Sequence, residues 1–118
     1  MTQEELYHNL TESASLQEVQ RYIYEVIHLR GFDKQTIEQE MLIMLEEVGE
    51  LAKAIRKDVT DLKVDQRQLN HYTSIESEVA DVFIMLASIC NQLHIDMFTA
   101  LKEKEKINYK RVWKNMEK

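Results

Sequence analysis

The sequence predicts an all-α domain, an antiparallel four-helix bundle, and three observations carry that expectation. Proline is absent and glycine occurs only twice, so almost nothing interrupts a helix. Apolar residues recur at three- and four-residue spacing along most of the chain, the period of one helix face. Charged residues make up 31% beside 44% hydrophobic ones, which suits solvated helix faces around an apolar core. A length of 118 residues fits one such unit.

Residues 1–14 have weak periodicity and read as an N-terminal tail or short helix, leaving 15–118 as a single helical domain. Ser15-Leu16-Gln17-Glu18 is a capping box. Leu16, Val19, Ile23, Val26 and Ile27 form the stripe of a first main helix, and Gly31 supplies its C-terminal stop. Asp33 is the expected cap of the second helix. Its stripe runs through Ile37, Met41, Met44, Leu45, Val48, Ala52 and Ile55, ending near Lys57. Residues 58–73 are polar and long for a structureless connection, and Asp65-x-x-Gln68 would cap a short helix inside them. Thr73 or Ser74 starts the third helix, with Ile75, Val79, Val82, Phe83, Leu86, Ile89, Cys90 and Leu93 as its stripe. Asp96 caps the fourth, expected to reach Trp113.

The formal net charge of −6 argues against a nucleic-acid polymer as partner, since that backbone needs clustered Lys and Arg. It leaves room for a single nucleotide, because a divalent cation bridges carboxylates to phosphates. Cys90 is the only cysteine, so no intrachain disulfide forms, and a reducing cytoplasmic setting is expected. Residues 1–15 are acidic and polar, unlike a signal peptide. No run approaches the roughly 20 apolar residues of a membrane span, so no membrane partner is expected.

Two acid pairs stand out. The second helix contains Glu46-Glu47-Val48-Gly49-Glu50 and the third contains Glu78-Val79-Ala80-Asp81. Residues three apart share a helix face, and Glu47/Glu50 and Glu78/Asp81 each flank an apolar stripe. Four acids would then converge where two helices pack. Like charges brought together out of water need a counter-charge, and hard carboxylate oxygens suit Mg²⁺ or Mn²⁺ better than zinc. Gly49 in mid-helix costs about 1 kcal/mol against Ala, which asks for a reason such as close approach of a backbone or ligand. On the fourth helix Lys104, Asn108 and Arg111 share a face suited to phosphate oxygens, while Lys102, Lys106 and Lys110 face the other way. The bland alternatives are solvated surface acids and a salt-bridged cationic stripe.

Two other function classes compete. A carboxylate-bridged di-iron bundle wants Glu-x-x-His, and Glu25-x-x-His28 and Glu5-x-x-His8 fit that spacing. Glu25 falls opposite its helix stripe, however, and Glu5 lies outside the bundle. A non-catalytic helical interaction module would use Met41, Met44, Met85 and Met97 as an adaptable groove.

The ordered set resembles the MazG-like all-α nucleoside triphosphate pyrophosphohydrolases, a family with relatives acting on dUTP and dCTP. The family pattern Glu-Glu-x-x-Glu followed by Glu-x-x-Asp is met by Glu46-Glu47-Val48-Gly49-Glu50 and Glu78-Val79-Ala80-Asp81. The match extends through His94-Ile95-Asp96 and Lys104-x-x-x-Asn108-x-x-Arg111, covering roughly residues 16–113. The resemblance implies hydrolysis of a nucleoside triphosphate to monophosphate and pyrophosphate. It implies Mg²⁺ held by Glu47, Glu50, Glu78 and Asp81, with phosphate contacts from Lys104, Asn108 and Arg111. Phe32 sits where relatives carry an aromatic that stacks on the base, although many have Trp there. Tyr109-Lys110-Arg111-Val112-Trp113 departs from relatives with Pro soon after the Arg. A spare carboxylate, Glu46 or Glu47, would accept the proton of the attacking water. The resemblance also implies a homodimer or homotetramer. Tyr22, Tyr24, Leu29, Leu42 and Ile43, off their stripe centres, are the candidate interface.

Overall fold

The computed structural model describes residues 1–63, 65–67 and 73–113, and every regular element among them is helical. The α-helices are α1 (Gln3–Asn9), α2 (Leu16–Leu29), α3 (Ile37–Val59), α4 (Ile75–Gln92) and α5 (Met97–Asn108). Local chemistry fixes where each starts. Thr2 with Glu5, Ser15 with Glu18 and Thr36 with Gln39 form reciprocal capping boxes, each satisfying two orphan N–H groups. Ser74 and Asp96 cap α4 and α5 by accepting from the backbone of Ser77 and Thr99.

Residues 1–14 were expected as a tail or a short helix, and two further boundaries differ from expectation. The stretch at 1–14 holds a true helix, α1, pinned to α2 through buried Leu6. Thr36, not Asp33, caps α3, because Gln39 stands at the position that completes the box. Asp33 instead sits 3.9 Å from His28. Helix α5 stops at Asn108, short of Trp113, whose indole N–H donates to the Asn108 carbonyl at 3.1 Å. Residues 66–67 form a short 3₁₀ turn in which Asp65 accepts from the Arg67 N–H, while Gln68 lies outside the described residues.

Helices α2 and α4 end alike. The Phe32 N–H donates to Ile27 and that of Gly31 to His28, and the Ile95 N–H donates to Cys90 and that of His94 to Asn91. Both are Schellman closures, which need a left-handed residue after the cap. Gly31 takes φ 81° without strain, whereas His94 takes φ 58° with a side chain.

The α3–α4 hairpin is the main packing unit; α2 packs on α4, and α1 and α5 pack on α2. Helix α5 leaves the axis of α4 at 95°. Gln20 ties the junction: its amide donates to Asn91 Oδ1 and the Ile95 carbonyl, and accepts from the Met97 N–H. Among the described residues the buried apolar core is small, formed by Leu6, Ile23, Val26, Ala54, Ala87 and Ile89. Much of the expected core lies at the surface instead. Met41, Leu45, Val48 and Ile55 on α3, Val79, Phe83 and Leu86 on α4 and its C-cap Leu93 are exposed. Among the described residues no single helix is long and apolar enough to cross a membrane.

Candidate active site

Helices α3 and α4 run antiparallel in a register that acids mark at both ends. Glu40 Oε1 accepts a 2.8 Å hydrogen bond from Ser88 Oγ. Seven residues later on α3, Glu47 faces Asp81, seven residues earlier on α4. Seven residues are two turns, so both pairs lie on one seam. One turn beyond Glu47 and Asp81 come Glu50 and Glu78.

Carboxylate oxygens of Glu47, Glu78 and Asp81 all fall within 4.8 Å of one another. Glu78 is only 4% exposed. Its Oε1 accepts from the Thr73 hydroxyl, and its Oε2 has no partner among the described residues. Burial raises the Glu47 carboxyl above the ordinary glutamate range, and the charges of Asp81, Glu78, Glu50 and Glu46 push it in the same direction. Each observation describes negative charge in want of a cation. The donor set is all hard oxygen, and the 4.8 Å spread is close to the roughly 4.2 Å that opposite ligands of an octahedral Mg²⁺ span. The residues present therefore fit a divalent ion.

The other expected site residues are less assembled. Glu50 is exposed and outside the three-oxygen group, although its charge acts on Glu47. Glu46 is exposed. Lys104 and Asn108 lie on α5, whose main packing partner is α2 and not the acid-bearing α3, and Arg111 lies three residues beyond its end. Asn108 Nδ2 donates to Glu105 at 2.6 Å, its buried Oδ1 has no described partner, and the Arg111 guanidinium lies 5.8 Å from the Trp113 ring. Phe32 is 49% exposed beside the α2 closure. The Glu-x-x-His pairs have other partners: Glu5 completes the α1 cap, and His28 Nδ1 lies 2.8 Å from the Tyr24 carbonyl.

The match of family models decides the affiliation. The model of the MazG nucleotide pyrophosphohydrolase domain matches residues 35–114, well over half of the chain. This chain belongs to the MazG family. Comparison with curated proteins gives no significant match. The MazG match spans α3, α4 and α5, and so both acid pairs and the cationic stripe. The family is metal-dependent and acts on nucleotide pyrophosphate bonds, and its helical nature agrees with the helices described here.

Sequence spacing overlooked two features of this MazG domain. Thr73 was expected only as a helix start, yet its hydroxyl holds Glu78. The buried Glu40–Ser88 pair was overlooked although Glu40 stands two turns before Glu47, a spacing visible in the sequence.

Proposed function

We propose that this domain hydrolyses a ribo- or deoxyribonucleoside triphosphate to monophosphate and pyrophosphate with Mg²⁺, Mn²⁺ being the nearest substitute. The observation that carries the reading is the meeting of Glu47, Glu78 and Asp81 around the unpartnered Glu78 Oε2. Glu47, Glu50, Glu78 and Asp81 would hold the ion, Glu50 by a side-chain rotation of one turn's reach along α3. Bound there, the cation supplies charge neutralisation for the acids and phosphates and lowers the pKa of a coordinated water. Thr73 fixes the Glu78 rotamer by donating to Oε1.

In the reaction, a water oxygen bonds to the α-phosphorus and the bond from that phosphorus to the α,β-bridging oxygen breaks. Pyrophosphate leaves with the electron pair, and the water proton passes to a carboxylate. Glu47, half-buried within the acid cluster, suits that acceptor role better than exposed Glu46. Lys104, Asn108 and Arg111 are the proposed phosphate contacts and Phe32 the proposed base contact, reaching the acids in a homodimer or homotetramer.

Ion-exchange analysis of products from the eight common triphosphates with Mg²⁺ tests the reading. Monophosphate and pyrophosphate are expected. Orthophosphate and diphosphate as primary products, or no turnover with any of them, would overturn it.

A further inference from the structure

Helix α5 ends at Asn108, so no α-helical turn carries Arg111, the last member of the cationic stripe. Two hydrogen bonds take over from the helix. The Asn108 carbonyl belongs to the acceptors that a helix C-terminus leaves without an intrahelical donor. It accepts the Arg111 backbone N–H at 3.1 Å and the Trp113 indole N–H at 3.1 Å. The chain thereby closes into a hook over residues 108–113. Within the hook the Arg111 guanidinium lies over the Trp113 ring, its Cζ 5.8 Å from the ring centroid.

This arrangement prepares Arg111 for an anion. A cation over an indole is held by the quadrupole of the ring, which engages the charge and uses none of the N–H donors. A guanidinium carries its donors in a fixed fork that matches phosphate oxygens. Among the described residues no carboxylate forms an ion pair with Arg111, so the charge is not neutralised there. An arginine near a chain end otherwise samples many rotamers, and that freedom is lost when a phosphate binds. Contact with Trp113 restricts it beforehand.

We infer that Trp113 is a positioning residue that holds the Arg111 guanidinium beside Asn108 and so tightens binding of a phosphate chain. The inference rests on the reading of Arg111 as a phosphate contact. Trp113 acts through Arg111 and needs no contact with the phosphate itself. The competing role is a cap that only covers the end of α5. Trp113 is 46% exposed and lies beyond the last helix, so its truncation is expected to leave the fold intact.

The test is calorimetric titration of inorganic pyrophosphate with Mg²⁺, beside assays of triphosphate hydrolysis. It compares the wild-type protein with Trp113→Ala, Trp113→Phe, Arg111→Ala and the combined Arg111→Ala and Trp113→Ala variant. Trp113→Ala is expected to bind about fivefold more weakly, the scale of one cation–π contact. Trp113→Phe keeps a ring face and recovers part of the loss. In the Arg111→Ala background, removing the indole has no further effect, because the group it positions is gone. A cap role alone would weaken binding equally in both backgrounds. Trp113 is the only tryptophan of the chain, so its emission reports on the hook directly. The emission of the wild type should change along the calorimetric saturation curve, and Arg111→Ala should abolish the change. That readout needs no tryptophan variant to fold. Wild-type binding by a folded Trp113→Ala, an equal loss in both backgrounds, or an unmoved emission at saturation overturns the inference. A wild type that binds no pyrophosphate overturns it as well. Triphosphate hydrolysis without coupling between Trp113 and Arg111 overturns this inference alone. Coupling in pyrophosphate binding without hydrolysis of any triphosphate overturns the hydrolase reading alone.

Discussion

Glu47 has a raised pKa because burial and the neighbouring charges of Asp81, Glu78, Glu50 and Glu46 all disfavour its ionised form. The consequence for stability has a definite sign. A carboxyl with a folded pKa above its unfolded one favours the folded state below the ordinary glutamate value, and that contribution is lost as pH rises through the raised value. The metal-free protein therefore loses stability across that window. In Asp81→Asn the loss is smaller, because one of the repelling charges is gone. Thermal melts in chelator at stepped pH check this; an Asp81→Asn variant with a steeper loss than the wild type would refute it. With Mg²⁺ present, Asp81→Asn and Glu50→Gln are expected to lower kcat by at least about a hundredfold while far-UV circular dichroism stays native. Near-native activity in both would remove the metal assignment. The acids were legible in the sequence because i, i+3 spacing needs only the helix period. The Thr73–Glu78 bond was not, since it depends on how the end of a loop meets a helix.

The helices themselves were largely written in local chemistry. Ser15 with Glu18, and Asp96, gave two starts correctly because the capping side chain and its partner lie within one turn. Asp33 and Thr36 are both good caps, and the choice of Thr36 follows from Gln39 three residues on. Gly49 has no close neighbour within the described chain. Its cost in mid-helix asked for a close neighbour, but a Cβ added there meets nothing within 4 Å. In an isolated chain, Gly49→Ala is therefore expected to stabilise α3 by about 0.5–1 kcal/mol, the ordinary helix-interior gain. Chemical denaturation measures this, with activity assayed in parallel. A stability gain with activity kept marks Gly49 as a plain weak point. A loss of stability at low concentration would contradict the open space around it.

The largest gap between sequence and structure lies at the scale of the molecule. Periodicity identified the stripes on α3 and α4 but not which partner covers them. Met41, Leu45, Val48 and Ile55 recur at three- to seven-residue steps along α3, and Val79, Phe83, Leu86 and Leu93 do the same along α4 and its C-cap, yet all eight are exposed. Leu45 is 60% exposed, although its stripe reads as core. Tyr24 and Leu29 on α2 and Leu42 on α3 add to the open apolar surface. Scattered exposed hydrophobics need no explanation, but an ordered face on two packed helices marks a surface for another helix pair. A second copy of the hairpin supplies one, and two-fold symmetry places the same face on both sides. Burying one such leucine fully is worth about 1.5–3 kcal/mol, so a few of them suffice for a stable association. The protein is therefore expected to be at least a dimer at micromolar concentration, with a melting temperature that rises with concentration. Light scattering checks the mass against the 14.1 kDa of one chain. Leu45→Asp and Phe83→Asp place a charge in the proposed interface and should shift the assembly toward monomer. Should the wild type scatter as a 14.1 kDa particle, the exposed stripes would need another cover, and contacts from Phe32 and the α5 cations could not come from a second subunit.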